Sequence, residues 1–412
     1  MAHTTETHSE GHHSTHKRWL RPPILRLVDS EERSATWLEL FFDLCFVAAI
    51  AALGVDLLSD QTWEGYLRFA GLFVPIWWGW MGITWYASAF DTDDVIYRIS
   101  LLISMLAIVA IAVNVGRVKD GETTGFVIAF LVMQIVVVGL FLRARQHAHE
   151  TQSLTTRYAA GDALGAGIWL ASLAFPTPAQ YWVWGVAMGV LMITPMYSVR
   201  AYHGQPFDST HIPERYGLFT IIVLGESIVA VAAGILNTGW AFGTALTAAT
   251  GFGIAACVWW VYFDFVESTV VRRDAIVRAF VWGYAHFGVY VGIAAAAIGI
   301  EIAIEAASHG EPSNIVGRTI FLASLATYFF SCAVIQYNTK LTVDAVVIVR
   351  LASAAAMVAL IYVGGEIHQA ALVPVAFAVV LAQTLFEVIR AGPQASSPEA
   401  SAHHESCLRL CD

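Results

Sequence analysis

The sequence predicts an all-α, polytopic integral membrane protein, with about twelve transmembrane helices forming two parallel six-helix repeats. Three observations carry that prediction: the composition, a series of apolar windows of spanning length, and polar landmarks that recur in one order in both halves. Of the 412 residues, 57% are hydrophobic and only 13% are charged, and the mean hydropathy is +0.63. Soluble domains carry about 25% charged residues. A soluble chain of this length would need far more polar surface than this one has.

A bilayer-spanning helix needs roughly 17–25 apolar residues. Such windows fall at 36–58, 66–89, 95–115, 123–143, 157–174, 180–198, 214–236, 242–264, 278–305, 315–336, 345–363 and 370–389. The windows at 66–89 and 278–305 are the ones most open to a break or a tilt. With a cytoplasmic N-terminus, only Arg68, Arg117, Lys119 and Arg318 of the 22 Lys and Arg residues fall on the far side. Cytoplasmic loops carry the basic excess, and one missed span would invert every loop after it. Both termini are therefore expected in the cytoplasm.

The domain reading follows. Residues 1–30 form a His-rich cytoplasmic tail, 31–200 the first six-helix repeat, 201–390 the second, and 391–412 a second cytoplasmic tail. The tract with His3, His8, His12, His13 and His16 reads either as a metal-binding stretch or as a disordered tail, and its polar composition favours disorder. Residues 1–35 lack the apolar core of a signal peptide, so the first helix is expected to act as its own insertion signal. Cys45, Cys257 and Cys332 lie in apolar windows and read as small fillers; Cys407 and Cys411 lie in the tail. No cysteine spacing suggests zinc.

The repeat rests on polar landmarks, because apolar letters match easily in any membrane protein. Each half opens with Glu-Arg, Glu32-Arg33 and then Glu214-Arg215. An acid follows inside the helix, Asp43 or Glu226. A Trp pair comes next, Trp77-Trp78 or Trp259-Trp260, followed by "AFD" at Asp91 or "YFD" at Asp264. The third helix opens with Asp-x-x-x-Arg, Asp94 to Arg98 or Asp274 to Arg278. Six helices per unit is an even number, so the copies share one orientation, an arrangement found in transporters.

The residues that invite a function are the intramembrane acids. Glu39 and Asp43 stand at i and i+4 on one helical face, and Glu226 lies about three turns into the seventh helix. A central Asp costs about 2.5–3.5 kcal/mol on insertion scales, so such groups face the bundle interior or water and mark ion and proton routes. One reading is a cation or proton pathway lined by Glu39, Asp43 and Glu226, with Ser227 as a neutral ligand. The other is that these acids bond helix to helix, or pair with Arg33, Arg215 or the Asp-x-x-x-Arg arginines. Asp94/Arg98 and Asp274/Arg278 read as structural brackets or gating latches, and Glu214 as a surface group at the start of its helix. His286 is either a pathway residue or a neutral ring bonded to a carbonyl. Asp162, beside the packing glycines Gly161 and Gly165, has no evident role. Glu301 and Glu305 read as solvated ends of the ninth helix.

No H-E-x-x-H, G-x-S-x-G, Walker or dinucleotide fingerprint occurs in a suitable context. The chain reads as neither an enzyme nor a cofactor or metal carrier. The net charge of −10 disfavours nucleic acid. The partners expected are the lipid bilayer, an unidentified small solute or ion, and a second copy of the chain in a homo-oligomer.

Two segments carry a resemblance. "ATWLELFFDLCFV" and "ERYGLFTIIVLGESIVAV" resemble the hallmark segments of the bacterial low temperature requirement protein A (LtrA) family, at Trp37, Glu39, Phe42, Asp43, Glu214, Arg215, Gly225 and Glu226. The similarity covers about residues 30–390. It implies a bacterial inner-membrane protein named for growth in the cold, without a defined molecular activity. The first helix is also similar to the opening helix of endolysosomal-type potassium channels, whose Phe-Ser-Asp motif is here Phe42-Asp43 without the Ser. The expected function is a secondary transporter of a cation or small solute, with proton coupling through the carboxylates. The alternatives are a channel or a non-transporting membrane factor that supports growth in the cold.

Overall fold

In the computed structural model, each apolar window becomes one helix. The structure describes residues 19–26, 36–200, 211–266, 276–309, 315–367 and 369–391. In the first half lie α1 (Trp37–Ser59), α2 (Trp63–Ala89), α3 (Val95–Val115), α4 (Thr124–His147), α5 (Gln152–Ala171) and α6 (Ala179–Arg200). In the second lie α7 (His211–Thr238), α8 (Phe242–Trp260), α9 (Ile276–His309), α10 (Ile315–Lys340), α11 (Ala345–Val363) and α12 (Gln369–Ala391). The windows at 66–89 and 278–305 are continuous helices, α2 running on through Pro75.

Among the described residues, ten of these helices are long and apolar enough to cross a bilayer; α2 and α5 are not among them. Of the twelve expected spans, ten qualify by length and apolarity. The reason is composition. α2 dilutes its aliphatic residues with Trp, Tyr and Gly, and α5 opens on Gln152, Ser153, Thr155, Thr156 and Arg157 and carries Asp162.

α9 is the axis of the bundle. Every residue from Val289 to Ile300 is buried, and the helix packs against α7, α8 and α10 and touches α1, α2, α6 and α12. Its small residues permit this. A Cβ on Gly299 would stand 2.6 Å from the Phe321 Cα, and one on Gly292 would stand 2.8 Å from the Ser324 carbonyl, so the α9 and α10 backbones nearly touch. Outside, Leu106, Val113, Leu164, Ile193 and Leu236 stay exposed. Such a surface suits hydrocarbon rather than water.

The two halves share a packing order. α1 lies on α2 and α3, α3 on α4, α4 on α5; α7 lies on α8 and α9, α9 on α10, α10 on α11. They diverge where α2 packs against α4 while α8 packs against α12. The landmarks diverge too. Trp77 and Trp78 are buried, whereas Trp259 and Trp260 are exposed. Asp91 lies in a short strand and Asp264 in a π-helical turn, Val261–Phe265.

Part of the expected 1–30 tail is docked instead. β1 (Ile24–Leu25) pairs antiparallel with β2 (Phe90–Asp91), the Arg26 amide donates to the Ala89 carbonyl, and the Val95 amide donates to the Trp19 carbonyl. The backbone groups of the α2–α3 connection supply those partners. The His-rich stretch before residue 19 lies outside the described residues, as do residues 392–412 of the expected C-terminal tail.

Candidate functional site

The site starts at the first turn of α1. Thr36 is the N-cap: its hydroxyl accepts from the Glu39 amide at 3.2 Å, and the Glu39 carboxylate accepts from the Thr36 amide at 2.8 Å. This capping box satisfies two helix-end donors and holds the Glu39 side chain against the helix end, where it is buried. One turn deeper, Asp43 is fully buried. Its Oδ1 accepts from the Trp80 indole N–H of α2 at 2.8 Å and from Arg215 Nη2 of α7 at 2.6 Å.

Arg215 binds three helices together. It reaches Asp43, approaches Glu39 Oε2 with Nη1 at 3.6 Å, and contacts the Thr84 hydroxyl of α2 at 3.5 Å. Two carboxylates therefore share one guanidinium. Among the described residues, Asp43 Oδ2 and Arg215 Nε and Nη1 are buried without a hydrogen-bond partner. Aromatic rings wall the cluster: Trp80 stacks on Phe219 at 4.4 Å and meets Tyr216 edge-on at 5.1 Å.

His286 lies in the same aromatic layer on α9, fully buried. Its Nδ1 faces the Trp282 carbonyl at 2.8 Å, so that nitrogen carries the proton, and Nε2 has no hydrogen-bond partner among the described residues. Tyr216 and Trp282 stand 4.9 and 4.3 Å from its ring.

Glu226 and Ser227 are buried on α7, eleven residues beyond Arg215. At 1.5 Å per residue that is an axial separation of about 16 Å. Asp43 and Glu226 thus occupy different levels of the bundle, Asp43 with Arg215 and Glu226 beside Glu301 of α9. Glu301 is half-buried within α9, and Glu305 is exposed.

The first of the expected brackets is built differently from the pairing its spacing suggests. Asp94 caps α3 through the Tyr97 amide and binds Arg143 of α4 at 2.6 Å, while the exposed Arg98 takes Asp93 at 2.8 Å. Burial alone would push the Asp94 carboxyl up, but donors from Arg143, the Tyr97 amide and the Arg21 amide outweigh it and hold it below its ordinary value. In the second half, Arg278 is half-buried and its carbonyl accepts from Asn338. Glu214 is exposed. Arg33 and Asp274 lie outside the described residues.

Sequence reasoning missed three partners. Trp80, not the neighbouring Trp pair, donates to Asp43. The capping box was legible in the T-x-x-E spacing of Thr36 and Glu39. Arg350 of α11 and Glu387 of α12 form a fully buried ion pair at 2.7 Å, with Arg350 also donating to the Cys332 and Phe265 carbonyls. Among the described residues no group of three or more His, Cys, Asp or Glu side chains gathers to hold a metal ion.

Residues 34–384 match the family model described as bacterial low temperature requirement A protein (LtrA). An uncharacterized protein of Rhizobium meliloti (strain 1021) is 26% identical over 306 residues, covering 70% of this chain and 73% of the relative. No solved structure matches the chain.

Proposed function

The chain belongs to the bacterial low temperature requirement A (LtrA) family, and from that premise we propose that it is a multi-pass transporter of a cation or small solute. In this reading the Glu39–Asp43–Arg215 cluster is a proton-linked latch between the two halves. The observation that carries it is the set of unmet groups in the cluster: among the described residues, one acceptor on Asp43 and two donors on Arg215 are buried without a hydrogen-bond partner. A buried ion pair serves stability only when its remaining hydrogen-bonding groups are satisfied. This one leaves an acceptor on Asp43 free to take a proton. A proton on Asp43 weakens its hold on Arg215 and lets α1 move against α7; loss of the proton closes the pair again.

The wider architecture belongs to the same reading. All twelve helices span the inner membrane, both termini face the cytoplasm, and α1–α6 and α7–α12 are parallel repeats that meet at α1 and α7. The shared packing order of the halves supports the repeat. The basic residues support the orientation, since Arg21, Arg26 and Arg143 gather at one end of the bundle, around Asp91 and Asp94. α2 and α5 cross the bilayer shielded by their neighbours.

A second reading has its own observation. The Arg215–Asp43 bond staples α1 to α7, which suits a non-transporting membrane factor equally well. Reconstituted protein separates the readings. Uptake of a panel of monovalent cations and small metabolites into proteoliposomes, under an imposed pH gradient, should saturate and depend on the gradient. Asp43→Asn should abolish it. Flux without saturation or coupling would indicate a channel; wild-type protein that moves nothing in the panel, or Asp43→Asn that moves it as wild type does, contradicts the transport reading.

A further inference from the structure

Seven acidic side chains are buried among the described residues: Glu39, Asp43, Asp56, Asp94, Asp162, Glu226 and Glu387. Five of them face an arginine, at Arg215 for the first two, Arg68 for Asp56, Arg143 for Asp94 and Arg350 for Glu387. Glu226 stands near another acid, Glu301. Asp162 is different: it is 5% exposed, sits in the middle of α5, and has neither a hydrogen-bond nor an ion-pair partner among the described residues. An unpaired buried carboxylate is costly, and the close packing beside it does not explain it. Gly161 and Gly165 bring α5 against Thr194 and Leu191 of α6, and Thr194 gives its own hydroxyl hydrogen to the Val190 carbonyl.

Asp162 lines a cavity of about 20 Å³ between α2, α4, α5, α6 and α9. The walls are ring faces. Trp85 stacks on Phe280 at 5.3 Å, Tyr158 stacks on Phe141 at 4.6 Å, and Trp78 meets Tyr284 at 6.0 Å. Tyr284 is fixed from behind, its hydroxyl donating to the Met192 carbonyl at 2.7 Å. Gln134 is the other polar side chain in the lining apart from these phenol and indole groups. The space is small, enough for a water-sized body or two.

One carboxylate among aromatic faces selects a charge and a size. Aromatic faces attract cations, most strongly when the cation is desolvated. A single negative charge balances a monovalent cation. It supplies too few oxygens for calcium or magnesium, which take six or more. An N–H-bearing cation can also donate to Asp162 and to the Gln134 amide oxygen, which a bare alkali ion cannot. We propose that the Asp162 cavity binds a small ammonium-type cation, ammonium or methylammonium, between its carboxylate and the Trp78, Trp85, Tyr158 and Tyr284 rings. As the cargo of the transporter this rests on the function proposed above; as a binding site it does not, and the test reads binding rather than flux.

The test is equilibrium binding of radiolabelled methylammonium to the purified full-length protein in detergent, at neutral pH and constant ionic strength. Wild type should bind saturably, with displacement by ammonium and none by equal sodium or potassium. Asp162→Asn, which keeps the shape and removes the charge, should weaken binding at least tenfold. Trp85→Leu should weaken it severalfold, and Glu305→Gln, an exposed acid on α9, should leave it unchanged. If Asp162→Asn fails to fold, Trp85→Leu and the displacement series still decide the matter. The proposal is overturned if wild type shows no saturable binding, if folded Asp162→Asn or Trp85→Leu binds as wild type does, or if potassium displaces as well as ammonium. Binding without flux leaves this site standing and removes the transport reading; flux without methylammonium binding does the reverse.

Discussion

Arg215 of α7 donates to the Asp43 carboxylate of α1 at 2.6 Å, across 172 positions of sequence. Two acids that looked unpaired within their own helix are thereby answered from the other half of the chain. The same bond is a liability as well as a link, because both charges are almost completely buried.

Arg215→Ala should therefore destabilise the protein by about 3–5 kcal/mol, the cost of leaving buried carboxylates without their partner. Removing both charges, with Asp43→Leu and Arg215→Met together, should recover a large part of that loss. Thermal unfolding in detergent, run as a double-mutant cycle, measures the coupling.

The Arg350–Glu387 pair predicts a contrast. Glu387→Gln strands the Arg350 charge against the Cys332 and Phe265 carbonyls, and should cost about as much as Arg215→Ala. It should not change methylammonium binding at temperatures where the protein stays folded. A loss of binding at such temperatures would tie α11 and α12 to the cavity.

Asp94 gives a pH dependence with a definite sign. Its folded carboxyl lies below the ordinary value because Arg143 and two backbone amides donate to it. Its contribution is fully present above the unfolded value, about 3.9, and is lost as the pH falls from there through the lower folded value. Asp94→Asn should cost about 2 kcal/mol near neutrality. Unfolding of the two proteins across an acid series should show that gap closing only below about pH 4.

Two glycines should behave oppositely. Gly299→Ala places its methyl 2.6 Å from the Phe321 backbone, whereas a Cβ on Gly189 of α6 meets nothing within 4 Å. Gly299→Ala should destabilise by about 1–3 kcal/mol through overpacking of α9 on α10. Gly189→Ala should be neutral or stabilising by up to about 1 kcal/mol, since Ala is the better helix former. Melting temperatures of the two variants check both.

How much of this could be read from the chain depends on distance along it. The helices lie close to their apolar windows, because a bilayer-length run of Leu, Ile, Val, Ala and Phe leaves the backbone few choices. Asp43 and Glu39 announced themselves as polar letters in such a run. Their partner did not: Arg215 was one of several arginines within nominal reach, and only the approach of α7 to α1 selects it. Trp80 was hidden for the opposite reason, since one indole among many carries no mark of the acid it serves. Arg350 and Glu387 lie 37 positions apart in different windows, and only the packing of α11 on α12 shows that they pair and are buried. β1 is two residues long and has no periodicity to detect. Asp162 was visible but unexplained, because all but one of the rings around it come from α2, α4 and α9.

The central claim is that Asp43 exchanges a proton while Arg215 releases it. Infrared difference spectroscopy of the reconstituted protein tests this most directly, by following the carboxylic-acid C=O band through a pH titration in wild type and Asp43→Asn. The account predicts a titrating band in folded wild type that is missing in Asp43→Asn. An Asp43 carboxylate that stays ionised at every pH where the protein remains folded would contradict it, and would leave the Asp43–Arg215 pair as a structural staple.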